Sequence, residues 1–401
     1  MVRVLVLVAA ALSVACNSIT GVDDLEKVDC VTNCGSGGAG GGALTPLGVS
    51  VGRRASCVIV SDKSVRCWGA NPGVLPGTVS TTPVPVAKLA DIDGVSIGLE
   101  HACALDGSGT VWCWGLNNFG QLGDGTNEAS PEPKQVPNLP AIDTVSVGST
   151  HSCAYTSPDI DPVQAYCWGQ NDSGQLGDGT KQDSPSPVKV ALPSGAKVVR
   201  MGPGGGFTAA IVDVGGLLET WCWGKNDKGQ CGQPTTKPTI DAPEKIPGVP
   251  QLERVYPGFE HMCGRTVGTK IPWCWGANEH GQVGINATSP WEAPAAVIGG
   301  EQIDTMFVGY RHTCFSKNTS LEGVCWGAND FGQLGGQPSV DQPLPSPAPY
   351  LDGAAVSMRQ AEHGCRILAD VVSCFGANDS GQLGNGKIGP SSPPGEVNLG
   401  L

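Results

Sequence analysis

Five of the six histidines in this 401-residue chain stand two places before a cysteine, at His101, His151, His261, His312 and His363. Imidazoles beside thiols are candidate metal ligands or proton carriers. Their recurrence at one position of a repeated phrase argues for a different role. Equivalent positions in a cyclic repeat lie on a ring, too far apart to share one small ion unless they point inward. Each histidine is therefore expected to make the same structural hydrogen bond in its own unit.

The 17 cysteines follow a matching pattern. Six units place one cysteine before a short turn and one after it: Cys57 with Cys67, Cys103 with Cys113, Cys153 with Cys167, Cys263 with Cys274, Cys314 with Cys325, and Cys365 with Cys374. Facing positions on antiparallel strands suit a disulfide. The spacing does not suit a zinc knuckle, whose ligands come in closely spaced pairs. One unit carries Ala209 where the first cysteine should be, and an extra Cys231. Cys222 is expected to pair with Cys231. Cys30 and Cys34 are candidates for an eighth bridge, which leaves Cys16 over. Such a set requires an oxidising compartment.

Other chemistry is sparse. The turns Asp124-Gly125-Thr126 and Asp178-Gly179-Thr180 lack the clustered oxygen ligands of a calcium loop. Neither a Gly-x-Ser-x-Gly elbow nor a His-Glu-x-x-His pair occurs. No catalytic residue, metal ligand or cofactor is assigned, and the chain is expected not to be an enzyme.

The positioning framework is a phrase that occurs seven times: Cys-Trp-Gly, then Asn, then Gly-Gln-Leu-Gly. It opens at Cys67, Cys113, Cys167, Cys222, Cys274, Cys325 and Cys374, with Phe375 replacing tryptophan in the last copy. The aromatics are 46 to 55 residues apart. Periods of this size with short alternating strands indicate repetition of one β unit. In Thr110-Val111-Trp112-Cys113-Trp114 the two tryptophans share one face and the cysteine takes the other. The order of phrase, Pro-rich stretch, apolar strand and His-x-Cys resembles the regulator of chromosome condensation repeat. That resemblance covers residues 44–401. It implies an all-β fold: a seven-bladed β-propeller of four-stranded antiparallel blades. The expected closure has N-terminal residues 44–67 completing the blade begun at 375–401, which would hide sheet edges.

Residues 1–16 carry Arg3, an apolar run from Val4 to Ala15, and Cys16. This describes a secretory signal, too short to span a bilayer comfortably. Ser13-Val14-Ala15-Cys16 resembles a bacterial lipobox, with Ser13 in place of the usual Leu, so lipidation at Cys16 is expected. Residues 17–43, acidic and then almost all glycine, read as a flexible tether. The expected location is the bacterial cell envelope or surface, with the chain lipid-anchored or secreted, and membrane contact only through the anchor.

A net charge of −13 opposes phosphate backbones, so nucleic-acid binding lacks its usual driving force. The best clue to a partner is what the repeat leaves free. Two positions before each histidine slot read Arg53-Arg54, Leu99-Glu100, Ser149-Thr150, Gly205-Gly206, Phe259-Glu260, Tyr310-Arg311 and Ala361-Glu362. Equivalent positions lie on one face of a propeller. Aromatics and arginine are enriched at binding hot spots, so Arg53, Arg54, Glu100, Phe259, Glu260, Tyr310, Arg311 and Glu362 are the candidate binding residues. Unconstrained surface is the competing reading of the same positions. The insertion at 156–166 and Trp291 are further candidates. The leading function is a monomeric binding scaffold for a protein or glycan. An extracellular polysaccharide-acting enzyme using Glu100, Glu260 or Glu362 is the alternative. The resemblance also implies guanine-nucleotide exchange on a small GTPase, a role poorly matched to an exported, acidic chain.

Overall fold

In a computed structural model, the described residues are 44–70, 78–157, 163–300, 302–317, 322–352 and 355–400. The expected signal and tether segments, with Cys16, Cys30 and Cys34, lie outside them. The described residues form seven four-stranded antiparallel sheets. The first blade contains β1 (Pro46–Val51), β2 (Ala55–Val60), β3 (Val65–Gly69) and β4 (Ser80–Pro85). Blades 2 to 7 repeat this order at 92–135, 144–189, 197–245, 252–296, 303–347 and 355–396. Among the described residues a single 3-10 turn, Pro349–Leu351, interrupts the β pattern.

First strands of neighbouring blades contact one another around an axis, and the ring returns from blade 7 to β1. Fourth strands are Pro-rich, as in Ser-Pro-Glu-Pro-Lys-Gln at Ser130–Gln135. Proline removes a ladder donor, so it suits an outer edge and blunts further pairing. The apolar core lies between blades: Val49, Val51 and Trp68 of blade 1 pack with Cys365, Val372 and Leu383 of blade 7. Turn chemistry fixes the spacing. Gly169 has φ +106°, and a Cβ there would lie 2.7 Å from the Thr150 carbonyl oxygen.

Closure differs from the sequence expectation. Blade 1 is complete within 46–85 and blade 7 within 355–396, so among the described residues no N-terminal strand joins the last blade. The reason is phase: each Cys-Trp-Gly strand is the third of its blade, and every unit begins two strands upstream. The ring closes face to face, as at the other junctions. The blade 7 Gly-Gln-Leu-Gly turn tucks against blade 1, where the Gln382 carbonyl accepts from Trp68 Nε1 at 2.8 Å and Ser56 Oγ at 2.9 Å.

Six hairpin disulfides join directly opposed cysteines with Cα separations of 4.0–4.1 Å. Cys222–Cys231 instead ties the third strand of blade 4 to its own following turn, at 5.3 Å. Ala209 lies opposite Cys222, so no thiol is available across that hairpin.

Candidate binding face

The face carrying the loops between first and second strands is called the upper face. These loops lace into one another. Arg53 N donates to Gly98 O (3.4 Å), Leu99 N to Ser149 O (3.4 Å), Phe259 N to Gly309 O (3.4 Å) and Tyr310 N to Ala361 O (2.9 Å). Glycine permits this approach: a Cβ on Gly98 would lie 2.1 Å from Gly148 O.

The first members of three variable pairs, Arg53, Phe259 and Tyr310, meet one another. Arg53 of blade 1 sets its guanidinium carbon 4.7 Å from the Tyr310 ring centroid and 6.0 Å from that of Phe259. The two rings, on blades 6 and 5, are 4.2 Å apart. Blade 7 lies between blades 6 and 1, so this cluster reaches across the axial mouth. Ser149 and Ala361 are buried, which removes them from the exposed circle expected from sequence.

Below the cluster, two blade 7 residues cross the axis. Arg359 donates through Nη2 to Pro203 O at 2.7 Å and through Nη1 to Ser146 Oγ. Gln360 Nε2 donates to Pro203 O at 2.8 Å. Pro203 has no N–H, so its blade cannot offer Ser146 the backbone bond that Val147 gives Ser96 (3.1 Å). Arg359 occupies that role.

The second members lie farther out and are mostly paired. Arg311 Nε reaches Glu362 at 2.8 Å, and Nη2 reaches Asp330 at 3.0 Å. Burial disfavours the Arg311 charge, but Glu362 and Asp330 outweigh it and raise its pKa. Lys225 behaves likewise between Glu260 (3.2 Å) and Asp227 (3.3 Å). Lys228 holds Glu279 at 2.7 Å. Arg54 and Glu100 are exposed. Glu100, Glu260 and Glu362 stand on blades 2, 5 and 7, and the last two are engaged by cations, so they do not form a carboxylate pair.

The five repeated histidines do not reach this surface. All are fully buried, and burial drives each pKa down to about 3. Four bond a hydroxyl on the next blade: His101 to Ser152 (2.9 Å), His151 to Thr208 (3.0 Å), His261 to Thr313 (2.9 Å) and His363 to Ser56 (2.8 Å). Each hydroxyl donates onward to a glutamine carbonyl, as Ser152 does to Gln121 O at 3.1 Å. The hydroxyl therefore accepts from the imidazole, which places the proton on Nε2. These are structural clamps between blades. Among the described residues, no group of three or more His, Cys, Asp or Glu side chains is placed to hold a metal ion.

Two features escaped the sequence reading. The serine or threonine partners occupy the middle position of the triplet that stands in the His-x-Cys place of the following unit, which reads Ala55-Ser56-Cys57 in blade 1 and Phe207-Thr208-Ala209 in blade 4. Arg359-Gln360 replace an apolar residue and glycine that precede the variable pair elsewhere, as in Val308-Gly309. Both signals were present as departures between copies. Trp291 is 38 % exposed and stands against Gly229 of blade 4. Residues 158–162 of the insertion lie outside the described residues.

Family comparison decides the repeat type. The model of the Regulator of chromosome condensation (RCC1) repeat matches residues 108–155, 164–211 and 219–258, and a second model of that repeat matches 92–121. Within residues 92–258 this chain matches the regulator of chromosome condensation repeat. Its similarity to the Ultraviolet-B receptor UVR8 of Arabidopsis thaliana is 30 % identity over 59 % of this chain and 53 % of the receptor. It is 27 % identical to the E3 ubiquitin-protein ligase HERC2 of Homo sapiens, over 57 % of this chain and 4 % of that protein. The chain thus spans about half the length of the receptor and a small part of the ligase. Prp20p from Saccharomyces cerevisiae, studied for its binding to Gsp1p and histones, aligns with a TM-score of 0.71 at 19 % identity, over 84 % of this chain and 86 % of that one. Human WBSCR16 gives 0.67 at 19 % identity, over 80 % and 85 %. These structural likenesses show the propeller fold alone. The upper face is where this propeller diversifies from blade to blade.

Proposed function

We propose that this protein is an exported binding scaffold that recognises a protein or glycan partner through its upper face. One observation carries the reading: a frame held constant by buried clamps and disulfides presents side chains that differ from blade to blade around one circle. Rigid frames with variable loops commonly serve recognition. The direction of the chain supports it. β1 runs from Pro46 to Val51, directly before Gly52-Arg53, so the described chain enters from the face opposite the variable loops. A tether at 17–43 anchored through Cys16 would leave the upper face free to meet a partner.

Crosslinking on intact cells, followed by mass spectrometry, tests the proposal. A soluble form beginning at residue 44 should capture the same partner. Capture should fail when Arg54, Glu100, Phe259 and Tyr310 are changed to alanine. Equal capture by that variant overturns the role of the upper face. Turnover of a polysaccharide that is lost in Glu260→Gln would replace the scaffold reading with the enzymatic one.

A further inference from the structure

The cations of the upper face are treated unequally. Lys225, Lys228 and Arg311 are each held by a carboxylate within 3.3 Å. Arg53 and Arg54 are not: among the described residues neither forms an ion pair. Arg53 is nevertheless held in place. Its planar group lies over Tyr310 and near Phe259, and those rings support each other at 4.2 Å. Stacking uses the face of a guanidinium and leaves the N–H edges available, the geometry suited to a two-pronged bond with a carboxylate.

We propose that Arg53, supported by Tyr310 and Phe259 and flanked by Arg54, is a recognition point for a carboxylate side chain on the surface of a protein partner. This rests on the scaffold reading and narrows it. Two observations favour a single acidic side chain on a protein over a polyanionic glycan. The chain's net charge of −13 repels a densely charged polymer at long range. In addition, Arg53 already covers the Tyr310 ring, on which a sugar would otherwise stack. A lone carboxylate from a mixed-charge surface avoids both difficulties. Seating it at the axial mouth places it among half-buried aromatics, where partial desolvation strengthens a charge-assisted bond.

The test uses the soluble chain from residue 44 and a blocked peptide of alternating serine and glutamate, titrated at low ionic strength by calorimetry. Trigalacturonate is the second probe. Saturable peptide binding is expected. It should weaken roughly tenfold in Arg53→Gln and severalfold in Tyr310→Leu, while Lys228→Ala binds like the unaltered chain. Arg53→Lys should resemble the glutamine variant, because a lysine keeps the charge without the planar fork. Thermal unfolding of each variant checks that the ring is intact. Absence of saturable peptide binding, or equal binding by Arg53→Gln, overturns the proposal. Arg53-dependent binding of trigalacturonate without the peptide overturns the choice of a protein partner. A cellular partner captured equally by Arg53→Gln, yet lost in the four-residue alanine variant above, would leave the scaffold reading standing and remove this one.

Discussion

Ser56 and His363 join the first blade to the last: Oγ and Nε2 are 2.8 Å apart, at a sequence separation of 307. Both are fully buried, and the same hydroxyl also satisfies the Gln382 carbonyl. Ser56→Ala strands the imidazole and removes one donor from that carbonyl. The expected loss is about 1–3 kcal/mol, read from urea unfolding. An unchanged midpoint would show that closure does not depend on this pair.

Acid should loosen every histidine junction. The folded chain keeps these imidazoles neutral to about pH 3, whereas the ordinary value is 6.5. Between those values the unfolded chain binds more protons, so stability falls as pH falls from about 6.5 toward 3 and is fully present above that window. Each histidine adds a slope of up to about 1.4 kcal/mol per pH unit. Urea midpoints across pH 7 to 4 measure it. A flat profile would contradict the burial of neutral imidazole.

The chain supplies its own control for that experiment. Phe207 occupies the histidine slot of blade 4, and the next blade offers Met262 in place of a hydroxyl. Both are fully buried. His101→Phe combined with Ser152→Met copies this apolar junction. The double variant should show a shallower acid slope than the unaltered chain. Ser152→Met alone should be the less stable, because it leaves His101 buried without its partner. Additive effects of the two changes would show that the positions do not communicate.

The junction between blades 6 and 7 is expected to open first. There both ring nitrogens of His312 are buried without a partner, Gly364 stands in the hydroxyl slot, and Phe375 replaces the tryptophan whose Nε1 bonds a glutamine carbonyl in blades 1, 3, 4, 5 and 6. Gly364→Ser alone should destabilise, since its Cβ would lie 2.6 Å from Phe375 Cζ. Adding Phe375→Trp should reverse that loss, with a coupling of about 1 kcal/mol or more. Hydrogen exchange should then slow at 312–317 and 363–368. Equal exchange rates in all junctions of the unaltered chain would refute the weak seam.

The hairpin bridges should resist reductant until the ring opens, because Cys57, Cys67 and the other paired sulfurs of the hairpins are at most 1 % exposed. Replacing Cys57 and Cys67 by alanine should cost at most about 2–3 kcal/mol, given the short loop they close. Peptide mapping of unreduced chain should return Cys222 joined to Cys231; a free Cys222 thiol would contradict that bridge.

The seven blades were legible because each copy repeats residues with one geometric use: a glycine at φ +106° at Gly169, a tryptophan between blades, cysteines facing across a hairpin. The chain's phase around the ring was not legible. Cys-Trp-Gly marks a strand clearly but does not say which strand of four, and that ambiguity produced the expectation of shared closure. The binding face was half legible. Equivalence placed Arg53, Phe259 and Tyr310 on one face, but only three-dimensional packing shows that they meet across the axis and that Ala361 and Ser149 are covered. The clamps depend on residues about fifty positions apart in different copies, such as His101 and Ser152, a pairing that no local pattern expresses.

Arg359 and Gln360 give the ring a hub. The wheel is braced at its centre by side chains from blade 7, and blades 3, 4 and 7 are tied to one another there. Whatever this wheel meets, it meets by contour, pressing one side against an object broad enough to touch several blades at once.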